Sequence, residues 1–125
     1  MRSTVRTDQA PAAIGPYSQA ILANDTLYCS GQIAIEPETG TLVTSSIEAE
    51  TELVLENLGA VLRSVQMSFD NVVRCTVYLT DMNDYAVVNE VYARYFREDP
   101  PARETVAVQA LPRGARVEIS CIAVR

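Results

Sequence analysis

The sequence predicts an α+β fold in which one mixed β-sheet carries two helices on a single face. Three observations lead there. Several segments alternate apolar and polar side chains with a period of two, two others repeat apolar side chains at helical spacing, and the order reads strand, strand, strand, helix, strand, helix, strand, strand. No repeat, low-complexity stretch or linker interrupts the 125 residues, so a single domain over 1–125 is expected.

The elements can be justified in turn. Residues 27–35 are apolar around Gly31 and stop at Pro37-Glu38-Thr39-Gly40, a turn made from a proline of fixed φ and a permissive glycine. Residues 18–23 supply a hairpin partner across Asn24-Asp25. Over 47–66 the apolar positions Ile47, Val54, Leu58, Val61, Leu62 and Val65 predict a helix, with Ser45 and Glu48 as its capping box. Residues 71–80 then place Val73, Cys75, Val77 and Leu79 on one side of a strand and Arg74, Thr76, Tyr78 and Thr80 on the other. A second helix buries Tyr85, Val88, Tyr92, Tyr95 and Phe96 and is stopped by Pro100-Pro101. Strands near 105–109 and 116–124 close the domain. In the last one, Val117, Ile119, Cys121 and Ala123 alternate with Glu118, Ser120, Ile122 and Val124, so both of its faces are largely apolar. Two helices cover only one face, and a symmetric partner is the economical cover for the other, which predicts a homo-oligomer.

Composition narrows the chemistry. There is no histidine, lysine or tryptophan, and all ten cationic side chains are arginines, scattered within a formal charge of -6. Nucleic acid is a poor partner for such a surface. No pyridoxal-type lysine, no histidine-based catalytic pair and no phosphate-binding glycine fingerprint is present, so no cofactor and no metal is expected. Glu48, Glu50, Glu52 and Glu56 cluster, and a solvated helix face explains them more simply than a metal site. Cys29, Cys75 and Cys121 are odd in number, widely spaced and apolar in setting, which indicates buried thiols in a reducing compartment. No apolar run is long enough to span a bilayer, and residues 1–7 lack the apolar core of a secretory signal; a cytoplasmic location is expected.

The chemistry must therefore run on arginine, carboxylate, hydroxyls and backbone. Pro100-Pro101-Ala102 delivers Arg103 into a strand, where it could grip a substrate carboxylate through two parallel hydrogen bonds or serve a structural ion pair with Glu104. Glu118, a lone carboxylate in an apolar strand, could neutralise an arginine or position a water. Tyr17 stands among turn formers, Ser30-Gly31 combines a hydroxyl with a glycine open to close approach, and Asn89 falls early in the second helix. Each of these also has a purely structural explanation.

Taken together, Ala10-Pro11-Ala12-Ala13-Ile14-Gly15-Pro16-Tyr17-Ser18-Gln19-Ala20, Tyr28-Cys29-Ser30-Gly31-Gln32-Ile33, Asn71-Val72-Val73, Asp81-Met82-Asn83-Asp84, Val88-Asn89-Glu90-Val91-Tyr92, Pro101-Ala102-Arg103 and residues 111–119 resemble the motifs of the RidA/YjgF family of reactive-imine deaminases, in the same order. The resemblance implies a chorismate-mutase-like α+β fold, assembled as a homotrimer with pockets between subunits. It implies hydrolysis of 2-imino acids and their 2-aminoacrylate or 2-aminocrotonate enamine forms, released by pyridoxal-phosphate-dependent dehydratases, to 2-oxo acids and ammonia. Arg103 matches the family's carboxylate-binding arginine and Glu118 the glutamate associated with the attacking water. Tyr17, Ser30, Gly31, Asn89 and Thr105 match pocket positions, Thr105 through its backbone near the imine nitrogen. Two residues depart from the family pattern. Glu104 puts a negative charge beside the anchor, where alternation along the strand points it away from the pocket, and Thr105 stands where some members have cysteine. Beside a cation, Glu118 is expected to stay ionised. The competing expectation is a non-catalytic module that binds 2-oxo acids or similar small carboxylates, with ribonuclease or chaperone-like roles behind it.

Overall fold

The computed structural model describes residues 1–125. It has six strands, β1 (Arg2–Val5), β2 (Ala20–Ala23), β3 (Thr26–Gln32), β4 (Val72–Leu79), β5 (Ala102–Ala107) and β6 (Val117–Val124), and two helices, α1 (Ile47–Arg63) and α2 (Tyr85–Tyr95). The strands form one mixed sheet in the order β1-β2-β3-β6-β4-β5. Only the β4–β5 pair is parallel, joined by the α2 crossover, and the other pairs are antiparallel.

Both helices lie on the face that carries Cys75, Val77, Leu79, Val117, Ile119, Cys121 and Ala123, all buried. Val54, Leu55, Leu58, Val61 and Leu62 of α1 and Val88 and Val91 of α2 pack against that face as one continuous core. Phe69 joins the helices at its margin, with edge-on contacts to Tyr95 at 5.3 Å and Phe96 at 5.2 Å between ring centroids. The opposite face has no helix over it and exposes Tyr28, Val106 and Val124.

The structure departs from the sequence reading in several places, each with a local cause. Ser46, not Ser45, caps α1, its hydroxyl accepting from Ala49 N at 3.0 Å. Val73 is exposed, because the register between β4 and β6 slips between Val72 and Arg74; this bulge turns Val72 inward in its place. The strand containing Gly31 ends at Gln32, and Ile35 makes only an isolated bridge to Leu42 beyond it. β1 adds a short edge strand over residues read only for the absence of a secretory signal, and β5 starts at Ala102, so Arg103 lies well inside it. α2 ends at Tyr95, ahead of the two prolines. Tyr85 is exposed and does not belong to the buried stripe.

Of the α1 acids, Glu48 and Glu56 are exposed and Glu52 is half-buried, as a solvated face requires, and Glu50 is the exception. Glu50 is fully buried and accepts from Arg116 N at 2.7 Å and Arg116 Nε at 2.8 Å. Glu48 and Glu52 bind Arg94 of α2 at 2.7 and 3.5 Å, and Glu56 accepts from the Tyr95 hydroxyl at 2.8 Å. Glu48, Glu52 and Glu56 thus form a polar seam between the helices, for which Arg94 and Tyr95 of α2 supply the partners.

Candidate active site

Arg103 is half-buried on the helix-covered face, paired in register with Cys75 of β4. No acidic side chain meets it. Its guanidinium carbon lies 4.8 Å from the centroid of the Tyr92 ring and 5.8 Å from that of Tyr85, and Nη2 donates to Tyr85 Oη at 3.2 Å. Two aromatic rings thus hold the cation without neutralising it. Asn89, Tyr92, Phe96 and Pro101 line the hollow beside it. Thr105, two residues on and on the same face, has a buried hydroxyl with no hydrogen-bond partner. Glu104 points the other way and pairs with Arg74, which leaves the anchor free as strand alternation predicted.

Glu118 occupies a second hollow. Its strand neighbour is Tyr78, on the face of the sheet that has no helices. The carboxyl lies over Gly31, in the segment where the β3–β6 register slips between Cys29 and Gln32. Tyr17, Ile33, Pro112 and Arg113 complete this hollow. Burial raises the Glu118 carboxyl above its ordinary value, and no neighbouring cation lowers it. The expectation that a cation keeps it ionised is therefore not met within one chain.

The loop bearing Tyr17 is fixed by a residue that sequence patterning passed over. Gln19 is buried, its Nε2 donating to Pro11 O at 2.8 Å and Thr7 O at 3.0 Å while its Oε1 accepts from Thr7 N at 2.7 Å. Ser30 is engaged as well, donating to Ser18 O at 2.6 Å, so its hydroxyl supports the loop and keeps only acceptor capacity for a ligand. Arg113, with φ of 60°, lines the Glu118 hollow without an ion-pair partner; its only sequence signal is the Leu-Pro-Arg-Gly turn. Tyr85 and Tyr92 were legible as aromatics but not as neighbours of Arg103.

Register makes the relation between the two hollows unambiguous. Arg103 aligns with Cys75 and Glu118 with Tyr78, and residues an odd number apart along β4 face opposite sides of the sheet. One chain thus gathers Asn89, Arg103 and Thr105 on one face and Tyr17, Gly31 and Glu118 on the other. The predicted residues fall into two groups on opposite faces rather than one pocket.

Comparison with known proteins gives a consistent picture. The family model described as Endoribonuclease L-PSP matches residues 7–125. Protein DfrA of Myxococcus xanthus is 54% identical over 98% of this chain and 95% of its own length. The Mus musculus protein named 2-iminobutanoate/2-iminopropanoate deaminase is 49% identical over 100% of this chain and 93% of its own. The crystal structure of RidA from an Antarctic Psychrobacter superposes with a TM-score of 0.95 at 44% identity, covering 98% of this chain and 99% of that one. Matched over nearly its whole length in both sequence and fold, the chain belongs to the Endoribonuclease L-PSP family, the RidA/YjgF proteins.

Proposed function

We propose that this protein hydrolyses 2-imino acids, such as 2-iminopropanoate and 2-iminobutanoate and their enamine tautomers, to 2-oxo acids and ammonia. Arg103 carries the reading. It is a half-buried guanidinium with no acidic partner, steadied by two tyrosines beside an open hollow, as a receptor for a small carboxylate should be. Full-length relatives named 2-iminobutanoate/2-iminopropanoate deaminase support the same reaction.

The reaction asks little of the protein, because an imine carbon is already electrophilic. Arg103 orients the substrate through its carboxylate. Glu118 takes a proton from water as the oxygen bonds to the imine carbon, and the nitrogen takes one from solvent as the C=N bond becomes single. Glu118 then returns its proton to the nitrogen, the carbinolamine hydroxyl gives its own up to solvent, and the C–N bond breaks to leave ammonia and the 2-oxo acid. A carboxyl raised by burial suits this exchange, since it accepts a proton readily and returns it.

Arg103 and Glu118 occupy opposite faces of one sheet, so a complete site needs Glu118 from a second copy. The helix-free face, with Tyr28, Val106 and Val124 exposed, is the surface available for that contact, and a homotrimer with one pocket at each subunit boundary meets the requirement. Pyridoxal-phosphate-dependent dehydratases acting on serine or threonine fit as suppliers of the imine, in a cytoplasm where three free thiols stay reduced. No helix is long and apolar enough to cross a membrane.

The test is to generate 2-iminopropanoate with a dehydratase in the presence of semicarbazide. Wild type is expected to divert the imine and slow semicarbazone formation, and Arg103→Ala to restore the uncatalysed trapping rate. An unchanged rate with wild type, or an Arg103→Ala variant as fast as wild type, rejects the assignment.

A further inference from the structure

Tyr85 is the hydroxyl that reaches Arg103. It opens α2, is 40% exposed, and takes the hydrogen bond from Arg103 Nη2 at 3.2 Å. A phenol oxygen has two lone pairs and one proton, whereas a guanidinium has donors only. The bond from Arg103 therefore uses a lone pair. Asn89, one turn further along the helix, is a second polar neighbour of this oxygen. The O–H itself has no acceptor in the chain and lies beside the guanidinium of Arg103, which lines the hollow together with Asn89.

We infer that Tyr85 donates this proton to the carboxylate of the bound 2-imino or 2-oxo acid, so that one chain grips the acid with the Arg103 guanidinium and the Tyr85 hydroxyl together. The inference rests on the proposed function for the identity of the ligand. It adds a binding residue that neither spacing nor motif assigned, because Tyr85 reads as one more apolar-stripe position of a helix.

The electrostatic setting favours the role and supplies a signature. The neighbouring Asn89 amide first, and the Arg103 charge second, lower the Tyr85 phenol below its usual value, which strengthens it as a donor. The other titratable groups around Arg103 lose their protons later: burial pushes Tyr92 of α2 well up and Cys75 of β4 up to about 11. The nearby carboxylates are turned elsewhere, Glu104 of β5 to Arg74, and Glu48, Glu52 and Glu56 of α1 to Arg94 and Tyr95. Asp84 immediately precedes Tyr85 in the chain. As pH rises, Tyr85 is thus the first of this group to ionise. Its loss of a proton removes a donor and puts a negative oxygen beside the guanidinium.

The experiment is calorimetric titration of the full-length protein with 2-oxobutanoate, from about pH 7 to about pH 10, for wild type, Tyr85→Phe and Arg103→Ala, with imine hydrolysis followed in parallel. At neutral pH Tyr85→Phe is expected to weaken binding about tenfold, and Arg103→Ala to abolish it. Wild-type affinity should fall in alkali while the affinity of Tyr85→Phe stays level. Because Tyr85 is exposed, the phenylalanine variant should melt with wild type, which separates loss of the hydroxyl from loss of fold. Unchanged affinity in Tyr85→Phe, a wild-type pH profile in that variant, or failure of wild type to bind the acid overturns the inference. Tighter binding by Tyr85→Phe also overturns it, since the hydroxyl would then be competing for Nη2. Tyr85-dependent binding without imine hydrolysis would instead remove the proposed reaction and leave the carboxylate site standing.

Discussion

A Cβ built on Gly31 would stand 2.2 Å from Glu118 Oε2 and 2.8 Å from its Cδ, so the carboxyl occupies the space a side chain at position 31 would fill. Glycine is required here by the approach of another residue and not by backbone conformation. Gly31→Ala must push the carboxyl aside, and a displacement on the scale of an ångström costs catalysis about 100-fold. The variant is expected to keep the wild-type circular dichroism spectrum while its imine-trapping rate collapses.

Glu118→Gln should separate function from stability. Burial raises the Glu118 carboxyl, so the folded chain holds that proton more tightly than the unfolded chain. The group therefore favours folding in acid, and this contribution is lost as pH rises through the folded pKa. Glutamine removes the buried charge. We expect Glu118→Gln to melt above wild type at neutral pH, the gap closing below the ordinary carboxylate range, while hydrolysis is lost throughout.

The fully buried Glu50 satisfies both the backbone N–H and the guanidinium of Arg116. Glu50→Ala leaves Arg116 N and Nε without an acceptor, Nη2 keeping its bond to Thr44 O, and is expected to cost about 3 kcal/mol, read from urea midpoints at fixed protein concentration. Its catalytic effect should be indirect, appearing only as loss of folded protein.

If Arg103 and Glu118 act together as proposed, their placement on opposite faces predicts complementation. Arg103→Ala and Glu118→Gln are each expected to be inactive alone, yet co-refolding the two should recover a fraction of wild-type turnover at boundaries that pair an intact Arg103 with an intact Glu118. Recovery that fails although mixed oligomers are isolated would show that the two groups do not act together across chains.

Much of the fold was legible because period-two and helical patterns dominate the segments that became β4, β6, α1 and α2. What escaped was set by tertiary partners. The bulge at Val73 depends on the register of β4 against β6, and the burial of Glu50 depends on Arg116, which is distant in sequence. The candidate site was legible as types of residue, with Arg103 and Glu118 standing out in a chain that has no histidine or lysine. Their placement was not. A linear motif does not say which side of a sheet a residue faces relative to a residue on another strand, and the parity of the β4 pairing decided that here.

The single parallel pair in the sheet has an evolutionary corollary. Because β4, α2 and β5 follow one another, everything proposed to seize the acid, Tyr85, Asn89, Arg103 and Thr105, comes from one uninterrupted stretch, residues 72–107. The hollow around Glu118 is assembled from segments on either side of that stretch. On the proposed roles, selection could retune which acids are accepted by editing one cassette without disturbing the corner assigned to water, and transplanting that cassette between relatives should carry the acid preference along with it.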